Sequence, residues 1–140
     1  MKSIKLSTNQ YYLSLEVGDE IIDAIKTFSK KMKIHAGSFH GIGAVNDVTI
    51  GIYDKAKRAY KSHDLHKPFE VTSLSGNISM LDNEPSIHAH INLSDHSLKV
   101  VGGHLTRAII SVTGEIFINC CNKKIIRKMD KKIGINLIKI

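Results

Sequence analysis

The sequence predicts an α+β domain, built as a mostly antiparallel, curved β-sheet (sandwich-like or partial-barrel-like) with one main α-helix at about residues 19–32. Three observations predict it. Runs rich in Ile, Val and Thr recur along the chain between Gly, Asn and Asp punctuation, and many strands with short connections favour antiparallel pairing. Only one segment places apolar residues at a long helical period. The stretch from Pro85 to Ser94, PSIHAHINLS, alternates apolar with polar, which marks a strand with one buried face.

The 140 residues suffice for a single core, so residues 1–140 are expected to form one domain. A hydrophobic content of 42% with 24% charged residues is globular rather than disordered. No uncharged apolar run approaches the ~18 residues of a membrane span. Met1-Lys2-Ser3-Ile4-Lys5 carries no apolar signal segment, so the expected location is the cytoplasm and no membrane partner is expected. Cys120 and Cys121 are neighbours, which disfavours a disulfide between them, and both are read as reduced strand residues. The net charge of +7 favours anionic partners, DNA among them. Against that, no helix-turn-helix, zinc finger or aromatic-basic stacking platform can be read. No nucleophile elbow is present either.

Taken in order, Ser7 to Gln10 reads as a polar turn and Tyr11 to Leu15 as a strand. Gly18-Asp19-Glu20 opens the helix, with Asp19 the expected N-cap. Ile21, Ile22, Ala24, Ile25, Phe28 and Met32 follow the 3.6-residue period, while Lys26, Lys30, Lys31 and Lys33 take the outer face and last turn. Ile34 to Val45 reads as a bulged strand. Its Gly41-Ile42-Gly43 is not a dinucleotide fingerprint, because Asn46 stands at the third glycine position and strand-like residues follow. Asn46-Asp47 is expected to turn into a strand from Val48 to Tyr53, and Asp54 to Ala56 to turn again before a short strand from Arg58 to His63. Pro68 to Met80 is a long strand broken by Gly76, and Leu81 to Pro85 a turn. Thr106 to Cys121 is a long β segment interrupted at Gly114. The tail IIRKMDKKIGINLIKI reads as a last element docking on the sheet.

The candidate site lies on the alternating strand. Ile87, Ala89, Ile91 and Leu93 share one face, so His88, His90, Asn92 and Ser94 share the other. Residues two apart on a strand lie roughly 6.5–7 Å apart, and two imidazoles at that spacing can converge on one ion through bonds of about 2.0–2.1 Å. Ser94 to Ser97 reads as a turn, and Leu98 to Val101 as a strand leading into Gly102-Gly103-His104. A three-residue loop, Asp95 to Ser97, sets His88 opposite His104 on the same face. A two-residue loop turns His104 into the core, and a bulge at Gly102-Gly103 restores the parity. The same pattern also fits a solvated polar face. Three neutral imidazoles would hold a divalent ion, zinc first, with a coordination position left to polarise water. Glu115 and Glu70 are auxiliary candidates as bases, and His40 is a further auxiliary. His35, His63, His66 and His96 are expected to stay outside the set.

Three stretches, GSFHGIGAVNDVTIGIYD, KPFEVTSLSGNIS and HAHINLSDHSLKVVGGHL, together resemble the plant-and-prokaryote-conserved (PPC) domain, and the tail resembles its usual end. The resemblance implies a sandwich-like domain that assembles as a homotrimer, with a DNA-binding, transcription-associated role. In bacterial and archaeal members that keep the histidines, these positions are associated with metal, which points to His88, His90 and His104. No Arg-Gly-Arg-Pro core of an AT-hook occurs here, so the resemblance is to the bacterial and archaeal type. The alternative is a metal-dependent enzyme, or a trimer that binds a small molecule.

Overall fold

The computed structural model describes residues 1–139. Nine strands and one helix follow in the order β1 (Lys2–Ser7), β2 (Gln10–Leu15), α1 (Ile21–Lys31), β3 (Gly37–Asp54), β4 (Ala59–Leu65), β5 (Phe69–Leu81), β6 (Glu84–Ser94), β7 (Val100–Cys120), β8 (Ile126–Asp130) and β9 (Ile135–Lys139). All strands join one sheet with the path β1-β2-β7-β3-β5-β8-β9. In addition β4 pairs with β3, and β6 pairs with both β5 and β7. The two longest strands, β3 and β7, pair along most of their length and change outer partners halfway. The sheet therefore curls around a core, but β1, β4 and β9 remain edges, so it does not close into a barrel.

The core is mostly aliphatic, with Leu13, Ile25, Val45, Ile91, Leu93 and Ile118 among its fully buried members and Phe28, Phe39 and Phe69 packed with them. Helix α1 lays Ile21, Ile25 and Phe28 on the sheet, where Phe28 meets Tyr11 edge-on at 5.2 Å. Burying one such side chain contributes about 1.5–3 kcal/mol, so apolar patterning sets strand register ahead of any polar contact.

Four elements depart from the sequence expectation. The helix is capped by Glu20, not Asp19: Glu20 accepts from the Ile22 and Asp23 amides at 3.1 and 2.7 Å, and from Ala108 N on β7 at 2.9 Å. Asp19 is engaged elsewhere, accepting from Glu16 N at 2.8 Å and pairing with the chain-start ammonium at 2.9 Å. Asn46-Asp47 does not turn; β3 runs through it with register shifts around Val45. Bulges bend the strand while keeping Val45 and Val48 both buried, which a turn would not. Lys2–Ser7 is a strand paired with β2, which its polar, exposed sequence concealed. The tail forms a hairpin of two strands, joined to the sheet where Met80 N donates to Ile125 O at 2.8 Å. Cys120 and Cys121 are free thiols. No helix among the described residues is long and apolar enough to cross a membrane.

Candidate metal site

Strand β6 buries Ala89, Ile91 and Leu93, with Ile87 packed against the core's edge. A one-residue slip would carry that whole face into solvent, so the pattern forces His88 and His90 outward together. The strand is entered by a two-residue turn at Asp82-Asn83, both at positive φ (49° and 64°), a conformation Asp and Asn tolerate better than most side chains.

His104 reaches the same face by a route neither anticipated loop describes. Ser94 faces Val100, so the connection has five residues, Asp95–Lys99, and His104 stands opposite His90 rather than His88. The loop exceeds three residues by two, and parity is unchanged. Asp95 organises it: its Oδ1 accepts from Ser97 N, Ser97 Oγ and Lys99 N at 2.9, 2.7 and 3.3 Å, and its Oδ2 pairs with Lys67 at 3.0 Å. No bulge occurs at Gly102-Gly103; the β6–β7 ladder runs unbroken from Ser94 to His90. Gly102 instead permits close approach, since a Cβ there would lie 2.7 Å from Ile91 O.

The result is a cluster. One ligand atom from each of His88, His90 and His104 lies within 4.8 Å of the others, and among the described residues this is the one such group of metal-ligating side chains. Ring centroids are 5.1–5.7 Å apart. Nitrogens sharing a tetrahedral zinc at about 2.0–2.1 Å would be roughly 3.3 Å apart, a gap that small χ rotations can close. His104 Nδ1 is buried without a hydrogen-bond partner, and Tyr60 from β4 stacks on that ring at 4.5 Å. Burial pushes the His104 pKa down to about 4, and burial with the Arg127 charge pushes His88 down. Both rings are therefore neutral at pH 7, with lone pairs to offer.

Arg127, on β8, reaches the site from the tail. It is 8% exposed. Its Nε donates to Ser79 Oγ at 2.8 Å, one terminal nitrogen to Asn136 O at 3.0 Å, and the other to Asn77 Oδ1 at 2.9 Å and His88 Nδ1 at 3.3 Å. A guanidinium cannot accept, so this contact places the proton of neutral His88 on Nε2.

The auxiliary candidates do not join. His40 lies in a cross-strand row with Ser75 and His90, two strands away, roughly 10 Å at ~4.8 Å per strand. It stacks on Phe117 at 5.5 Å instead. Glu70 pairs with Ser94, five positions along β5 from the residue facing His90, and Glu115 sits on β7 opposite Ile42. His35, His63, His66 and His96 also lie outside the group; His66 contacts Asp47 at 3.1 Å. Arg127 and Tyr60 were missed. The one available signal was that Arg stands at only three positions in a lysine-rich chain, Arg58, Arg107 and Arg127.

Fold and site together define a curved-sheet domain whose outer face carries a three-histidine cluster able to hold a metal ion. The Plants and Prokaryotes Conserved (PCC) domain model matches residues 3–122, and the chain belongs to that family. Strands β8 and β9, with Arg127, lie beyond the matched segment. A plant- and prokaryote-conserved (PPC) protein from Pyrococcus horikoshii is similar at 34% identity, covering 94% of this chain and 91% of its own, with a TM-score of 0.87. A metal-containing protein from Archaeoglobus fulgidus is similar at 31% identity, covering 98% of this chain and 100% of its own, TM-score 0.86. A supposed DNA-binding protein from Bacteroides thetaiotaomicron is similar at 29% identity, covering 96% and 94%, TM-score 0.92. No curated protein matches the chain significantly.

Proposed function

We propose that His88, His90 and His104 hold one divalent ion, zinc first, and that this metal site is the working centre of the domain. The observation that carries the reading is the convergence of three imidazoles, one with a buried, unpartnered ring nitrogen. The donor set fits zinc, which takes neutral imidazole and tolerates three protein ligands with an open position. The Arg127 contact opposes it, because His88 must give up that hydrogen bond to ligate. A hydrogen bond to a charged group is worth about 1.5–3 kcal/mol. That is the offset which ion binding by the three imidazoles has to exceed. The similar metal-containing protein from Archaeoglobus fulgidus supports the same reading. Bound there, the ion would supply Lewis acidity at its open position. Glu70 and Glu115 both stand too far along their strands to serve as a base at the cluster, which favours a binding role over the enzymatic one.

The test is cobalt(II) substitution of the chelator-treated chain. The wild type should give a saturable visible d–d spectrum at one equivalent, His90→Ala should abolish it, and His96→Ala should leave it unchanged. Equal spectra from all three would remove the site.

A second reading is DNA binding, favoured by the net charge of +7 and by the supposed DNA-binding relative. It requires duplex affinity at about 50 mM salt that falls steeply as salt rises. A homotrimer fits the large apolar side chains left outside, among them Leu98 at 83% and Ile52 at 72% exposed. Light scattering giving a monomer mass at micromolar concentration would exclude it.

A further inference from the structure

We propose that the groove between Arg127 and the histidine cluster binds a small carboxylate ligand with an apolar body, its carboxylate held by the Arg127 guanidinium. The groove is open to solvent and encloses about 380 Å³. That lies within the range of about 300–1,000 Å³ usual for small-molecule pockets.

Its floor combines the site with the tail. His88 and His104 line one side with Tyr60, and Ile87, Met129 and Leu137 supply apolar wall. The tail is held across this space at both ends, by Met80 N donating to Ile125 O and by Tyr53 Oη donating to Ile133 O at 2.6 Å. The groove is thus a built feature of the hairpin's docking. No Asp or Glu lines it.

Arg127 supplies the reason for an anion. A buried guanidinium is costly unless a counter-charge accompanies it. Its four hydrogen bonds go to neutral acceptors, and among the described residues no carboxylate forms an ion pair with it. Guanidinium has five N–H hydrogens, so one, on the terminal nitrogen bonded to Asn136 O, remains without a partner. The contact to His88 is the longest of the four, at 3.3 Å, and so the easiest to exchange. One hydrogen from each terminal nitrogen is what a carboxylate takes in a bidentate pair. The ligand would replace a weak neutral contact, use the spare hydrogen and neutralise the buried charge, leaving its apolar body against Leu137 and Ile87. A bare oxyanion would satisfy the charge but leave that wall uncovered.

The proposal does not rest on the metal reading, and its test runs on chelator-treated full-length chain. Benzoate and inorganic phosphate are titrated separately at constant ionic strength, followed by the NMR resonances of the Arg127 and His88 side chains and by thermal stability. Benzoate should saturate, shift both resonances and raise Tm. Arg127→Gln should weaken it at least about tenfold, the loss of one charge-assisted pair. Should that variant fail to fold, Leu137→Trp fills the groove with Arg127 in place and should weaken benzoate to a similar extent. Three results would overturn the proposal: no saturable response to benzoate, affinity unchanged in folded Arg127→Gln (or, should that variant not fold, in Leu137→Trp), or phosphate binding as tightly as benzoate. None of them bears on whether the histidines take up cobalt, so the two readings fail separately.

Discussion

Two hairpins meet at His88, and they are built in opposite ways. In β6–β7, local pattern does the work: an apolar face fixes the register, a five-residue loop ordered by Asp95 keeps the parity, and the histidines fall together. In β8–β9, local pattern is weak, with mostly exposed or half-buried residues and one buried charge. That charge, Arg127, ties the hairpin to Asn77 and Ser79 on β5, holds its own two strands together through Asn136 O, and touches His88. The first hairpin supplies candidate ligands. The second decides how available one of them is.

The largest effect should come from the first hairpin. His104→Ala removes the ring opposite His90, and stoichiometric binding of an added divalent ion should be abolished, read as metal content after gel filtration. Retained stoichiometric metal in this variant would show that the strand pairing does not build the site.

Next is the tail. Arg127→Met leaves Asn77 Oδ1 without its donor and Ser79 with only its bond to Ser86 O, and should cost about 2–4 kcal/mol by denaturant unfolding, in line with breaking a buried hydrogen-bond network. It also removes a positive charge and frees His88, so affinity for a divalent ion should rise. A fall in affinity would mean that Arg127 supports the ligands rather than competing with the ion.

A smaller effect is expected from acid. The folded pKa of His104 is about 4 against the ordinary 6.5. The unfolded chain therefore binds the proton first, and stability is lost as pH falls from about 6.5 toward 4. The ring is half-exposed, so this contribution is about 1–2 kcal/mol rather than the full value of the shift. The metal-free protein should show this slope between those pH values, and His104→Ala should flatten it. Smallest is Asp95→Ala, which unties the loop; Tm should drop by a few degrees with metal still bound.

What was legible in the sequence follows the same division. Period-two alternation exposed His88 and His90, because a buried face is a local property of consecutive residues. The membership of His104 depended on parity, and parity is legible only if loop length is known. Leu98 at φ 60° belongs to the loop although its apolar side chain reads as strand, which is why the connection looked shorter than it is. The Glu20 cap escaped because Asp19 is the better cap by type, and its carboxylate is diverted to the Glu16 amide three residues back and to the Met1 ammonium. The place of Arg127 could not be read beyond the rarity of Arg in the chain: its partners Asn77, Ser79 and His88 are 39 to 50 residues away, and no local pattern announces them.

The most direct test of the central claim is the metal content of the chain purified without a histidine tag, by elemental mass spectrometry. The triad predicts close to one divalent ion per chain, zinc ahead of other metals, removed by chelator and restored by adding zinc back. A protein that stays folded yet holds no stoichiometric metal before or after that addition would contradict it.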